Sequence, residues 1–196
     1  TLSSSSAASD VYKRQAGHLG DQKYDLLGIV GTMLMKDPVF PVPSALIEKA
    51  CSFNDYPCGK VFELGDGIVI KTGKLNHPNG ACGYRIEYGG KSLAICTDTE
   101  HYEGKLDEEV LALADQADVM VYDSAYTDEE YPKFKGWGHS TWQEALKVAN
   151  AANVKNTFLF HHDPSHNDDR MDQIAKEVAA LNPSARPAVE GEEIVI

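Results

Sequence analysis

Polar side chains that can bind metal ions follow four predicted β-strands of this chain. His77 follows one strand, Asp98 a second, Asp123 a third, and the adjacent His161 and His162 follow a fourth. In α/β proteins the carboxyl ends of strands form the edge where ligands bind. Imidazole nitrogens and carboxylate oxygens suit Zn, Mn and Fe. One histidine at a strand end is usually structural, but the repetition favours a metal site.

Further polar side chains flank these positions. Glu100 and His101 come just after Asp98, and Asp163 comes just after His162. Each could orient a metal ligand or contact a substrate. Glu100 and His101 could instead lie in a solvated loop, and a cap role for Ser165 or Asn167 accounts equally well for the polar residues around Asp163. The candidates for such a supporting or substrate-binding role are Glu100, His101, Asp123, His162 and Asp163.

His139 is the candidate for proton transfer. It precedes Ser140, the predicted N-cap of a helix, and a helix N-terminus attracts anions. A histidine has a reference pKa of about 6.5, so it can protonate a departing alkoxide near neutral pH. The alternative is a histidine that fills space beside Trp137. Tyr126, Tyr131 and Trp137 could stack on a base or ribose, although aromatic packing within a loop also accounts for them.

The elements that must position these residues begin with hairpins. Four short β runs are separated by turns at Gly65-Asp66-Gly67 and at Gly89-Gly90, and they predict a mostly antiparallel sheet. The four predicted strands are Val61–Leu64, Ile68–Thr72, Gly83–Tyr88 and Lys91–Thr97.

The remainder of the chain alternates helices with strands. Asp107 and Ser140 are predicted N-caps, the second with Gln143 in a capping box. Hairpins followed by βα units predict an α/β fold with mixed sheets. The helices are expected at Asp107–Ala117, from Ser140 and at Asn167–Leu181, and the strands at Asp118–Tyr122, Thr157–Phe160 and Glu193–Ile196.

The first sixty residues carry weaker patterns. Thr1–Gln15 is rich in Ser and Ala, lacks apolar periodicity and resembles translated sequencing adapter, so we expect a non-native leader. We therefore expect the native protein to extend further at its N-terminus. The domain itself is expected over residues 16–196, with an irregular segment at Asp37–Pro43 and a short helix at Ser44–Ala50.

The composition of the chain limits the classes of molecule that it is expected to bind. The 196 residues have a net charge of −12, which disfavours long nucleic acid and leaves a small anionic substrate bound through cations. No apolar run approaches the ~20 residues of a membrane helix, and no secretory signal is visible, so a cytoplasmic protein without a membrane segment is predicted. The four cysteines form no C-x-x-C pair and are expected to be reduced and structural.

Three stretches resemble the metallo-β-lactamase-fold hydrolases. They are Leu75–Asp98, Tyr122–Ala145 and Phe158–His166, within a resemblance that runs from Pro38 to Leu181. The phosphodiesterase-like branch is the most similar, and it includes ribonuclease Z and the phosphoribosyl cyclic phosphate phosphodiesterases. Gly138–Thr141 is shared with the ribonuclease Z pattern. The resemblance implies the αββα sandwich of this family, of which the chain would supply the C-terminal portion.

The resemblance also implies roles for individual residues. His77 and His161 match ligands of two different metal ions, Asp98 matches the carboxylate that bridges them, and His139 matches the proton donor to the leaving group. Two divalent ions are implied, with zinc expected and manganese or iron as alternatives. Such a pair generates hydroxide from water near neutral pH. The implied reaction is hydrolysis of a phosphodiester in a small nucleotide or sugar phosphate.

One family motif is missing. The H-x-H-x-D-H signature does not occur, and His18 is isolated. Without those ligands neither metal reaches the three protein ligands that are usual for catalytic zinc. We therefore expect an N-terminally truncated hydrolase that is inactive as this piece alone. A di-iron redox or sensor protein, or a non-catalytic binding domain on the same fold, are the alternatives, and a homodimer is an open prediction.

Overall fold

The computed structural model describes residues 58–196 of the chain. The predicted leader Thr1–Gln15, the irregular segment Asp37–Pro43 and the helix Ser44–Ala50 lie outside the described residues. Gly59–Ile196 forms a compact unit of its own. The domain boundary after residue 15 therefore stays a prediction.

One mixed sheet organises the described residues. Its seven strands are ordered in space as they are in sequence. The first four pair antiparallel, and β4 to β7 pair in parallel. This arrangement confirms the predicted switch from hairpins to βα units. The strands are β1 Val61–Gly65, β2 Ile68–Leu75, β3 Ala81–Tyr88, β4 Lys91–Cys96, β5 Val119–Asp123, β6 Asn156–Phe160 and β7 Ala185–Pro187.

The hairpins form where the sequence supplies residues that accept positive φ. Gly89 and Gly90 have φ of 58° and 78°, and they connect β3 to β4 directly beyond the Tyr88–Lys91 pair. Two consecutive residues with positive φ match the twist of a two-residue hairpin. The β2–β3 hairpin is longer than predicted, because pairing continues to Leu75 and Ala81. Its loop carries His77.

Two helices begin at or near the predicted residues. Helix α1 is Glu108–Ala114, and the Asp107 carboxylate accepts from the Glu109 N–H at 2.9 Å, as expected of the N-cap. It ends before the predicted Ala117. Helix α3 is Asp168–Leu181, and Asn167, where the helix was expected to begin, is its N-cap. The helices within residues 58–196 are too short and too polar to cross a bilayer.

The predicted cap of the second helix is wrong by one residue. Helix α2 is Trp142–Ala151, and Thr141 is its N-cap, with Oγ1 accepting from the Glu144 N–H at 3.1 Å. Gln143 instead accepts from a loop N–H, so there is no capping box. Ser140 cannot serve as the cap because its buried hydroxyl lies between the ring nitrogen of His101 and the Tyr122 hydroxyl.

The predicted C-terminal strand is also wrong. Residues 193–196 have no regular structure and are exposed, and β7 is instead Ala185–Pro187. The short connection after α3 brings Ala185 opposite Thr157, so β7 takes the position beside β6. No neighbouring strand among the described residues pairs with Glu193–Ile196.

All three helices share one apolar core with the sheet. Alternate residues of neighbouring strands lie in register, with Cys96 opposite Tyr122 and Tyr122 opposite Leu159, so they point to the same face. Burying this face against the helices fixes the strands whose ends carry the polar residues. The buried core comprises Leu75, Ala81, Ala94, Cys96, Val110, Leu113, Ala114, Ala117, Met120, Tyr122, Trp142, Ala145, Val148, Ala149, Ala152, Leu159, Ile174, Val178 and Ala185.

Candidate metal centre

Side chains from three loops converge at the carboxyl ends of β4, β5 and β6. One ligand atom each of Asp98, His139 and His161 lies within 4.8 Å of the others. His161 Nε2 is 3.4 Å from Asp98 Oδ1, and the His139 and His161 rings stack with centroids 4.5 Å apart. The His77 ring lies edge-on to that of His139 at 5.8 Å. Three of the four residues predicted from the sequence therefore form the ligand cluster, and His77, the fourth, lies beside His139 but outside that cluster.

The backbone bends sharply at two of these residues. Asp98 follows β4 with φ of 58°, and His161 follows β6 with φ of 64°. A residue other than glycine in this left-handed region costs about 1–3 kcal/mol, and such residues cluster at functional sites. Both side chains remain partly exposed, at 29% for Asp98 and 34% for His161. Solvent and small ligands can therefore reach them.

Asp123 holds His139 in place from the end of β5. Its fully buried carboxylate accepts from the backbone N–H groups of Thr99, Ala125 and Ser140 at 3.1–3.2 Å. The Nδ1–H of His139 donates to the same carboxylate at 2.9 Å. These four donors satisfy the buried charge and fix the imidazole, whose Nε2 is then left for a metal ion or a proton.

Asp98 and His161 form a polarised pair. The hydrogen bond from His161 lowers the pKa of Asp98, although burial opposes this. In return, the hydrogen bond to Asp98 raises the pKa of His161 above its ordinary value. The carboxylate is thus charged and ready for a cation, whereas His161 must lose a proton before it can bind one. Metal affinity at such a pair rises with pH.

Glu100 fixes the loop that leads to His139. Its carboxylate accepts from the Tyr131 hydroxyl at 2.6 Å and from the Gly136 and Gly138 N–H groups at 2.7 and 2.9 Å. Burial raises the pKa of Glu100, but these three hydrogen bonds outweigh it and leave the pKa below its ordinary value. Glu100 therefore supports the site as an anion and is not part of the ligand cluster.

The loop that carries His77 is tied to the same region. The Asn76 side chain donates to the Glu100 carbonyl at 2.8 Å, and the Glu100 N–H donates to the Asn76 carbonyl at 2.8 Å. Gly138 packs directly against His77, since a Cβ added there would lie 2.2 Å from His77 Cδ2. Gly138 also has φ of 92°. Only glycine fits this close approach.

His101, a candidate for a supporting role, lies outside the ligand cluster. Its Nδ1 is 3.0 Å from Ser140 Oγ, and its ring packs at 4.2 Å on that of Tyr131. Burial lowers its pKa, which favours the neutral ring. His101 thus braces the segment that precedes α2.

His162 and Asp163 stabilise the loop after β6. The Nε2–H of His162 donates to the Leu159 carbonyl at 3.0 Å, and burial lowers the pKa of its ring. Asp163 accepts from the Ser165 N–H at 2.8 Å, and its own N–H donates to the Ala125 carbonyl. Neither residue belongs to the ligand cluster in the described part of the chain.

Two supporting features have no counterpart among the sequence-based predictions. The Tyr131 hydroxyl binds Glu100, whereas stacking or packing was expected of Tyr131. The two glycines that flank Trp137 supply both backbone donors to Glu100. The Gly-Trp-Gly spacing is the available signal, because paired glycines indicate unusual backbone conformations.

The fold and the convergent side chains define an α/β domain with a candidate metal centre at its strand ends. Residues 36–162 match the family described as the beta-lactamase superfamily domain, and the chain belongs to this superfamily.

Among individual proteins, a ribonuclease Z from Gemmatimonas aurantiaca is 29% identical over 130 residues, which are 66% of this chain and 39% of that protein. A ribonuclease Z from Crocosphaera subtropica is 30% identical over 144 residues, or 70% of this chain and 44% of that protein. The metallo-beta-lactamase fold protein YhfI from Bacillus subtilis has a TM-score of 0.58 at 16% identity, covering 76% of this chain and 59% of YhfI. The chain thus spans about two fifths of the length of these ribonucleases.

Proposed function

We propose that this chain is part of a metal-dependent hydrolase that cleaves phosphodiesters. The convergence of Asp98, His139 and His161 within 4.8 Å carries the proposal. A carboxylate and imidazoles are the donors of hydrolytic zinc centres. The ribonuclease Z relatives are named for cleavage of a phosphodiester polymer, and they cover two thirds of this chain.

Asp98, His161 and His77 are the residues that would hold the cations. Their oxygen and nitrogen donors fit zinc, and they also accommodate manganese or iron. We assign Asp98, His77 and His161 to the two divalent cations that the family resemblance implies. Cations held there would polarise the phosphodiester and would lower the pKa of water to near neutrality. Three residues do not complete two zinc sites, so this chain alone is expected to be inactive.

His139 is assigned to proton transfer at the leaving group. Its Nδ1–H is held by Asp123 at 2.9 Å, so the ring keeps one orientation. With Nδ1 held by Asp123, Nε2 is the atom that would donate a proton to the departing oxygen. The competing assignment is a metal ligand, because His139 belongs to the same cluster as Asp98 and His161. Metal content separates the two assignments.

The substrate is proposed to be a small nucleotide or sugar phosphodiester. A net charge of −12 opposes the counterion release that gives proteins affinity for long nucleic acids. The ribonuclease name of the relatives points instead to RNA. Comparing cleavage of a cyclic nucleotide with cleavage of transfer RNA at two salt concentrations decides between these substrates. The cytoplasmic location and the homodimer remain predictions.

Metal analysis of variants tests the proposal. Asp98→Ala in the intact protein should lose at least one equivalent of zinc by elemental analysis, whereas the exposed control Asp172→Asn should keep full occupancy. His139→Ala should keep its metal but cleave bis(p-nitrophenyl) phosphate about 10²–10⁴-fold more slowly. Full metal occupancy in Asp98→Ala would remove Asp98 from the site. Iron with a visible absorption band and no cleavage would favour a redox or sensor protein instead.

A further inference from the structure

The aromatic residues near His139 differ sharply in exposure. Tyr126 and Tyr131 are 4% and 8% exposed and pack together with Phe134 in a small apolar cluster. Trp137 is 62% exposed. Loop packing therefore accounts for the two tyrosines, but it leaves most of the Trp137 indole in contact with solvent.

Trp137 is the outer end of a row of rings that reaches His139. Its ring contacts Phe134 edge-to-face at 5.3 Å, and Phe134 stacks on Tyr126 at 4.4 Å with only 5° between the planes. Tyr126 in turn meets the His139 ring edge-on at 6.4 Å. Trp137 is also only two residues before His139 in the chain. The exposed indole thus lies at the rim of the candidate metal centre.

The backbone on both sides of Trp137 is fixed. The Gly136 and Gly138 N–H groups both donate to the buried Glu100 carboxylate, and the Trp137 N–H donates to the Phe134 carbonyl at 3.1 Å. An isolated exposed hydrophobic residue is common on protein surfaces. Here, however, hydrogen bonds to the buried Glu100 carboxylate fix the backbone on both sides of the exposed indole. A contact residue that is already held in position loses little conformational entropy when a ligand binds.

We propose that Trp137 is a stacking platform for a planar ring of the substrate, and that this ring is a nucleobase. The proposal rests on the hydrolase function proposed above and makes its substrate class more specific, to a small nucleotide. A chain with a net charge of −12 gains little affinity from the phosphate charge outside the metal centre. Stacking supplies affinity without charge, because every base presents a π-face to an aromatic side chain.

Binding of two probes to the zinc-supplied 196-residue chain tests this proposal. Adenosine monophosphate and ribose 5-phosphate both carry a phosphate and a sugar, but only the first has a base. Calorimetry should show tighter binding of the nucleotide. The nucleotide should also quench tryptophan emission, since the only other tryptophan, Trp142, is buried at 4% exposure.

Substitution then assigns the effect to Trp137. Trp137→Ala should weaken nucleotide binding by about 5- to 150-fold, the equivalent of about 1–3 kcal/mol for one stacked base. It should leave ribose 5-phosphate binding unchanged. Trp137→Phe should restore part of the affinity. Tyr88→Ala, which removes another exposed ring at the far end of β3, is the matched control and should bind like the wild type.

The outcomes separate this proposal from the hydrolase function. Equal affinity for the two probes, or an unchanged affinity in Trp137→Ala, overturns the stacking role and leaves hydrolysis untouched. Failure of the intact protein to cleave bis(p-nitrophenyl) phosphate in the presence of zinc overturns the hydrolase function, whatever the binding result. Trp137 is largely exposed, so its replacement is not expected to unfold the chain, and circular dichroism of the variant checks this.

Discussion

Replacing Asp123 with Asn alters the buried centre of the site with almost no change of shape. One carboxylate oxygen accepts from the Ala125 and Ser140 N–H groups, and the other accepts from the Thr99 N–H and from His139. An amide can place its oxygen against only one of these pairs. The amide N–H₂ then faces Thr99 and His139, since His139 can switch tautomer to accept whereas a backbone N–H cannot.

The expected loss of stability follows from this geometry. The Thr99 N–H is left without an acceptor in a fully buried position, which costs about 1–3 kcal/mol. Urea unfolding of the 196-residue chain should therefore shift to a lower midpoint in Asp123→Asn. The same chemical change at the exposed Asp172 of α3 should stay within about 0.5 kcal/mol of the wild type.

Turnover is expected to fall in Asp123→Asn because Asp123 affects cleavage through its hydrogen bond to His139. In the variant the Nδ1–H of the ring no longer donates to a carboxylate and the ring loses its fixed orientation, so cleavage by the intact protein should fall toward that of His139→Ala, by about 10²–10⁴-fold. The double variant should be no slower than His139→Ala alone, because one residue acts through the other. Full activity and unchanged stability in Asp123→Asn, or additive losses in the double variant, would refute this reasoning.

Two further substitutions test the supports of the fold. Gly138→Ala should destabilise the chain more than Gly136→Ala, because both have positive φ but only at Gly138 would the new Cβ meet His77; equal midpoints in urea would exclude the contact. The hydrogen bond from Lys155 holds the pKa of Asp118 at about 2, below its ordinary value of 3.8, so its stabilisation is present above pH 3.8 and is lost as the pH falls toward 2. Asp118→Asn should remove that part of the acid sensitivity, and an unchanged slope of stability against pH over this range would contradict the assignment.

Local sequence patterns were sufficient for most of the strands. Gly89-Gly90 accepts the two positive φ angles of its turn, and alternate residues of β4 are buried. The strand ends then placed Asp98 and His161 at one edge, because parallel neighbours end together. These features depend on contacts close in sequence or on the period of the strand.

The incorrect predictions concern segments whose structure is determined by contacts between residues far apart in the sequence. Ser140 resembles an N-cap, but its hydroxyl is used by His101, 39 residues earlier in the chain, and Thr141 caps the helix instead. Glu193–Ile196 has the composition of a strand but pairs with no strand of residues 58–196, where β7 forms shortly after α3 instead. The composition of a segment shows only that it could form a strand. Whether it does form one depends on which segment of the chain occupies the position beside the sheet edge.

The hydrogen bonds that support the candidate site could not be predicted from the local sequence either. Glu100 accepts from Tyr131, 31 residues later, and from Gly138, 38 residues later. The position of Glu100, two residues after Asp98, does not indicate these distant partners. The sequence therefore predicts only that Glu100 is one of several residues that could support the site. His101, His162 and Asp163 are also candidates for a supporting role from the sequence. In the structure their side chains form hydrogen bonds within or beside loops.

Anomalous X-ray diffraction from zinc-soaked crystals of this chain tests the central claim most directly. The account predicts a zinc peak in contact with the Asp98 carboxylate and the His161 imidazole, and loss of that peak in Asp98→Ala. A peak bound only to other residues, or the same peak in the variant, would contradict a metal centre at these strand ends.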